Sequence, residues 1–267
     1  MAIADNDYVY LYCITKNPPV LSTNDDVGSE LYCVRNTNLY ATVGKVPASE
    51  FKQEHLEQNL NNPKWLKRQV ERHEQVIETI MLNSSVIPSK FATVFFNEQN
   101  VQTFLEQYEE KLLEKLSDLE GREEWGVKIC CDEKILCRYI VENNPEVIDL
   151  DHEINAASQG KAYLLKRKRQ QLVENITMNN INIYRKLFLE VFQSVCRVVR
   201  VNPFPPRNLP DQHNGMILNL AVLVDRAASE NFFTSVETLK IEFLDKGFSF
   251  EYSGPWPPYN FSQITET

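Results

Sequence analysis

The side chains of this 267-residue chain that could do chemistry are four histidines, six cysteines and 37 carboxylates. A zinc hydrolase needs two histidines one helical turn apart, as in HExxH. His55, His73, His152 and His213 offer no such spacing. His73 opens the stretch "HEQVIE", but it stands on the apolar stripe of a helix, where a packed, hydrogen-bonded imidazole is expected. Cys13, Cys33, Cys130, Cys131, Cys137 and Cys196 are scattered through apolar, strand-like text. Adjacent Cys130 and Cys131 would point to opposite faces of a strand, which makes them poor co-ligands. Small, buried, reduced thiols fit them better. The eight glycines form neither GxGxxG nor GxxxxGK[ST], and "VGKV" and "QGKA" supply Gly-Lys pairs without the rest of a phosphate loop. No GxSxG elbow is present. The sequence nominates no catalytic residue, metal ligand, cofactor site or small-molecule substrate.

It does nominate two binding segments. The first is "KAYLLKRKR", residues 161–169, where Lys161, Lys166, Arg167, Lys168 and Arg169 form a candidate partner-binding stripe on a helix. The whole chain carries a net charge of -9, yet residues 161–207 hold ten Lys/Arg against two Glu, and residues 98–124 are dense in acid. Such polarity favours pairing of the two regions, within one molecule or between copies, or docking on a charged partner. A regulator that binds nucleic acid through helix 161–169 is the alternative. Against it, most of the surface would repel phosphate, and "WGVKICC" and "MILNLAVLVD" lack the aromatic pattern of sheet-face RNA binders.

The second segment is "GPWPPYNF", residues 254–261, with three prolines and three aromatics where a polar tail is the default. Prolines pre-order an extended segment at low entropic cost. A large side chain, once covered, contributes about 1.5–3 kcal/mol. Pro255, Trp256, Tyr259 and Phe261 are therefore expected to fold back as a latch on the protein's own core. A hook for an apolar partner is the functional rival.

The elements that must carry these segments are readable from periodicity. "YVYLYCIT" (8–15) is a strand apolar on both faces, and the Asn36-Thr37-Asn38 break predicts a hairpin between strands 31–36 and 39–46. Asn62-Pro63 opens a helix with Leu66, Val70, His73, Ile77 and Ile80 on one face. "VIPSKFATVFF" is extended, and a helix over 98–119 turns Val101, Phe104, Tyr108, Leu112, Leu116 and Leu119 inward before Gly121. The second half reads as strand 125–131, helix 133–143, a long helical tract over about 157–194, strands 196–201 and 216–225, a helix from Ser229 and a strand 247–253. In the long tract Leu165, Leu172, Ile176, Ile183, Leu187 and Val191 are expected inward, with a bend at "TMNNIN". In the last strand Phe248, Phe250 and Tyr252 are expected to face the core.

The implied class is α+β with two domains. Residues 1–122 form a three-stranded α+β domain, and residues 123–253 a modified ferredoxin-like (βαββαβ) domain with an enlarged helical first crossover. Residues 254–267 form the tail that packs back. Apolar content of 43% and charged content of 24% are those of a globular protein. No apolar run approaches the roughly 18 residues of a membrane span. The opening "MAIADNDYVY" lacks a basic signal-peptide region, so a cytoplasmic protein without membrane contact is expected.

The opening "YVYLYCIT", the "HEQVIETIM" helix followed by "VIPSKFATVFFN", the "WGVKICC" strand, "GKAYLLKRKR" and the closing "GPWPPYNF" occur in an order that resembles the gas vesicle protein F/L family across essentially the whole chain. Ala92 departs from the pattern, which expects glycine in a "PxxFGTVF"-like segment. The resemblance implies a non-enzymatic accessory role in making gas vesicles. It also implies association with the small hydrophobic shell protein and with other accessory proteins, in the cytoplasm at the vesicle. It supplies no catalytic residues to transfer.

Overall fold

The computed structural model describes residues 8–21, 31–204 and 215–263. The polar loop after the first strand, His213 and most of the proline-rich loop before residue 216 lie outside the described residues. Both helix and strand are abundant, and the chain divides into two compact units. One comprises the chain up to Glu124 together with everything from Pro255 onward; the other is Trp125–Gly254.

The first unit is built on strand β1 (Tyr8–Thr15), in which every residue after Tyr8 is buried. Its neighbour β3 (Leu39–Val46) pairs antiparallel from Tyr8↔Val46 to Thr15↔Tyr40, with a bulge between Leu11 and Cys13. β2 (Leu31–Asn36) joins β3 through a two-residue turn in which Thr37 takes φ 35°. The sheet has five strands rather than the three expected. The other edge of β1 is occupied by two short strands, β4 (Ile87–Pro88) and β5 (Val94–Phe95). Two-residue strands leave no periodicity to read, and Pro88 suits a sheet edge because it has no N–H to donate.

Helices α1 (Ala48–Phe51), α2 (Gln53–Leu60), α3 (Pro63–Met81) and α4 (Glu98–Leu119) complete this unit. Asn62 caps α3 by accepting from the N–H groups of Lys64 and Trp65, and Asn97 caps α4 by accepting from Asn100 N–H. Buried on α3 are Trp65, His73, Val76, Ile77 and Ile80, so the stripe is wider than the 66/70/73/77/80 face. On α4 Leu105 is buried, while Phe104 and Tyr108 are only half-buried, because the inward arc is centred one residue further on.

The second unit holds a four-stranded sheet in the order β7-β8-β6-β9, formed by β6 (Arg122–Cys131), β7 (Val198–Val201), β8 (Met216–Asp225) and β9 (Phe248–Trp256). β8, nearly all apolar in sequence, is an inner strand and buried through most of its length. Between β6 and β7 run α5 (Glu133–Asn143), α6 (Pro145–Ala156) and α7 (Gln159–Val195); α8 (Ser229–Phe243) joins β8 to β9. The sequence reading omitted α6, although Asn144-Pro145 repeats the Asn-Pro start of α3 and Asn144 caps it in the same way. α7 is helical throughout "TMNNIN". Its buried residues are Val173, Thr177, Phe188 and Phe192, whereas Ile183 and Leu187 are exposed. Each buried position lies one residue after an expected one (172, 176, 187 and 191), so the inward arc is centred about 100° round from the expected stripe, and Leu172, Ile176 and Val191 pack against the core from its flank. The core joins Val127, Ile129, Leu136, Leu220, Val222, Phe232, Phe243, Phe248 and Phe250 to that corrected face.

Ala92 resolves the departure noted in the sequence. It adopts φ +62°, the left-handed conformation that suits glycine. Its N–H donates to the Tyr10 hydroxyl at 2.9 Å, which fixes the bend between β4 and β5. A side chain here costs about 1–2 kcal/mol, part of which glycine would lose again to unfolded-state entropy. Ala92→Gly is therefore expected to stabilise the protein by about 0.5–1 kcal/mol, read as a rise in denaturation midpoint at unchanged m-value.

Candidate functional site

The carboxyl-terminal segment is held by side chains spread along the first unit's sequence. After Trp256 ends β9, a tight turn begins in which the N–H groups of Phe261 and Ser262 donate to Pro258 O at 3.1 and 2.9 Å. Pro257, Pro258, Phe261 and Ser262 are buried. Asn260 donates twice to Glu124, through its backbone N–H at 3.0 Å and its side-chain amide at 2.6 Å. Glu124 is only 4% exposed, so this pair of donors meets a carboxylate removed from water. Tyr259 donates its hydroxyl to Glu74 Oε1 at 2.9 Å and packs against the α3 core cluster.

Of the expected latch residues, Phe261 is 4% exposed and Tyr259 half-buried, but Pro255 and Trp256 are exposed, Trp256 by 45%. The reason is that β9 extends through Trp256, so the inward turn starts only at Pro257. Tyr252 likewise fails to bury, although its ring packs against those of Trp125 and Phe233. The anchors Glu74, Glu124 and Asn260 were not nominated by sequence. Two of the three lie in acid-rich text where solvated carboxylates are the default, and only the buried position of Glu124 on β6 sets it apart.

Under the tail lies a polar group inside an apolar core. The Tyr10 hydroxyl accepts from Ala92 N–H, so its own hydrogen goes to His73 Nδ1 at 3.0 Å. His73 is 1% exposed and stacks between aromatic rings, those of Tyr12 and Tyr259 among them. Burial pushes its imidazole down to about 4, against a smaller opposing pull from the Ser89 backbone. Glu74 is held above its ordinary range by burial, partly offset by the Tyr259 hydroxyl. Burial also pushes the Cys13, Cys131 and Cys196 thiols up to about 12, the behaviour of inert core cysteines, and all six cysteines are unbridged. Among the described residues no group of three or more His, Cys, Asp or Glu could hold a metal ion.

The basic stripe lies on the amino-terminal part of α7, with Lys161, Lys166, Arg167 and Lys168 exposed. Arg169 differs: it makes a two-pronged pair with Asp151 of α6, Nε to Oδ1 at 2.6 Å and one terminal nitrogen to Oδ2 at 3.0 Å. It is thus a fastener between α6 and α7, turned about 100° round the helix from Lys168. Tyr163 and Leu164, 64% and 66% exposed, lie among the free cations.

These arrangements describe a chain whose buried titratable groups help hold the fold. The profile of the family described as "Gas vesicle synthesis protein GvpL/GvpF" matches residues 8–263, and the chain belongs to this family. It is 28% identical over 238 residues to gas vesicle protein L of a Streptomyces species, covering 87% of this chain and 83% of that one. It is 25% identical over 195 residues to gas vesicle protein F of the same species, covering 73% and 77%. The crystal structure of the gas vesicle protein GvpF from an Anabaena species superposes with a TM-score of 0.67 at 21% identity, covering 97% of this chain and 98% of that one, which shows a shared α+β fold. No helix among the described residues is long and apolar enough to cross a membrane.

Asn260→Asp is expected to set a second carboxylate against buried Glu124 and to release the tail. A loss of roughly 2–3 kcal/mol, seen as a lower melting temperature and faster carboxyl-terminal proteolysis, checks it. A pH effect follows from His73. Between pH 6.5 and about 4 the unfolded chain takes up a proton that folded His73 refuses, so stability falls as pH drops through this window and is unaffected above it. Glu74 acts in the opposite sense, favouring the folded state as pH falls. His73→Gln is expected to remove up to about 3 kcal/mol of the acid-side loss, measured as the difference between the two proteins' stability–pH curves.

Proposed function

We propose that this chain is a non-catalytic accessory of gas vesicle assembly that associates in the cytoplasm with the small hydrophobic shell protein and with other accessory proteins while vesicles nucleate or grow. The observation that carries this reading is the family match across residues 8–263. An aggregation-prone apolar subunit needs a soluble partner, and a net charge of -9 keeps a partner soluble.

The second unit is best understood as a modified ferredoxin-like domain. Numbered within the unit, its strands lie in the order 4-1-3-2, and α5, α6 and α7 enlarge the first crossover. The tail is best understood as a latch centred on residues 257–262 rather than on Trp256, which supports a scaffold role for the first unit.

Two measurements test these readings together. Pull-down of the full chain from vesicle-forming cells is expected to enrich the shell protein over an unrelated acidic control; equal recovery would overturn the assembly role. Truncation after Ser253 is expected to cost roughly 3 kcal/mol or more through the loss of Phe261 burial and of the donors to Glu124. An unchanged melting temperature together with lost shell binding would instead make the tail a partner hook.

A further inference from the structure

Two helices of this chain carry runs of charge of a single sign, acidic on α4 and basic at the start of α7. On α4, Glu106, Glu110, Glu114 and Asp118 follow one another at single-turn intervals along the outward face, opposite buried Val101, Leu105, Leu112 and Leu116. Like charges at this spacing repel and destabilise the helix that bears them. Lys115 meets Asp118 at 3.9 Å, but Glu106, Glu110 and Glu114 have no ion-pair partner among the described residues. On α7, Lys161, Lys166, Arg167 and Lys168 likewise have none, and exposed Tyr163 and Leu164 lie between them. The carboxylate ladder is about 18 Å long and the cationic stretch about 10 Å, so the first can overlay the second fully.

We propose that a second copy of this chain covers the α7 stripe, its α4 ladder setting Glu106, Glu110 and Glu114 against Lys161 and Lys168, which share one face of α7, while Lys166 and Arg167 add positive field from the flanks. Tyr163 and Leu164 then lie beneath the aliphatic stems of the glutamates. Charge complementarity selects this occupant. A chain of net charge -9 repels its copies in most orientations, and the α7 stripe is the densest positive surface available to receive another copy's densest negative one. Such a contact joins different surfaces of the two copies, so it repeats reciprocally in a closed pair or head-to-tail in a chain. It does not depend on shell-protein binding and survives if that reading fails.

The test is sedimentation velocity on the full chain with charge-reversed variants. The unaltered protein is expected to self-associate at about 50 mM salt and to dissociate at about 500 mM, where the screening length falls to a few Å. Lys166→Glu/Arg167→Glu/Lys168→Glu and Glu106→Lys/Glu110→Lys/Glu114→Lys should each weaken association at least tenfold. An equimolar mixture of the two variants should restore it, since the reversed stripe of one then meets the reversed ladder of the other. Circular dichroism establishes that each variant is folded; should one not be, Lys166→Gln/Arg167→Gln/Lys168→Gln is expected to give a smaller but measurable loss. A chain monomeric at low salt, association indifferent to salt, or no rescue in the mixture overturns the proposal. So does a labelled single-stranded oligonucleotide that binds through Lys166–Lys168 to a protein that does not self-associate.

Discussion

The pairing of Glu124 with Asn260 is the constraint around which this chain is organised. Glu124 is the last residue of the first unit before the chain enters the second, and Asn260 comes six residues after the chain has left it. A buried carboxylate without donors is worth several kcal/mol of destabilisation. Two donors from one asparagine, its backbone and its side-chain amide, remove most of that penalty at a single stroke. The hydrogen bond therefore closes a 136-residue excursion and makes the second unit an insertion within the first. Entropy alone opposes closing so long an excursion, but that cost grows only slowly with length. It is opposed by the burial of Pro257, Pro258 and Phe261 in the same segment.

The polar core of the first unit follows the same logic on a smaller scale. Tyr10, the neighbours His73 and Glu74, Ala92 and Tyr259 come from four places in the sequence, and their hydrogen bonds run Ala92 to Tyr10 to His73 and, separately, Tyr259 to Glu74. The Ala92 N–H and the hydroxyls of Tyr10 and Tyr259 each meet one acceptor, which makes these polar groups tolerable in a low-dielectric interior. The left-handed backbone at Ala92 is retained because the Tyr10 hydroxyl needs that N–H if its own hydrogen is to be aimed at the imidazole. Pairing chemistry and backbone strain thus explain each other.

Local signals were legible where one element controls its own environment. The β2–β3 hairpin, the Asn62-Pro63 start of α3 and the bounds of α4 and α5 follow from turn chemistry, capping and period. The family was legible too, because the order of its motifs survives at low identity. What was not legible depends on distant partners. β4 and β5 exist only because β1 has an unoccupied edge; Leu105 displaces Phe104 because the sheet decides where the inward arc is centred. Arg169 looked like one more cation in a run until Asp151, eighteen residues earlier, claimed it. Trp256 has the most apolar area of the tail and yet is the tail's exposed aromatic, because a strand carries it past the point where the turn begins. Side-chain size indicates how much burial would stabilise, but the backbone path decides which residue receives it.

An insertion closed by its last residues has a consequence for how the molecule forms. The residues that cover Glu124 and contact Glu74 follow the whole second unit in the chain, so β1 to α4 cannot reach their native set of contacts until residue 262 is available. Until then Glu124 has no amide donors from Asn260, and the surface that Phe261 covers stands open. Domains that fold as units during synthesis normally complete in order from the amino terminus. Here the second unit, contiguous from Trp125 to Gly254, is the one able to complete first, and the first unit is sealed last. The hydrogen bonds from Asn260 to the buried carboxylate are therefore among the last native contacts that the amino-terminal unit can make during synthesis.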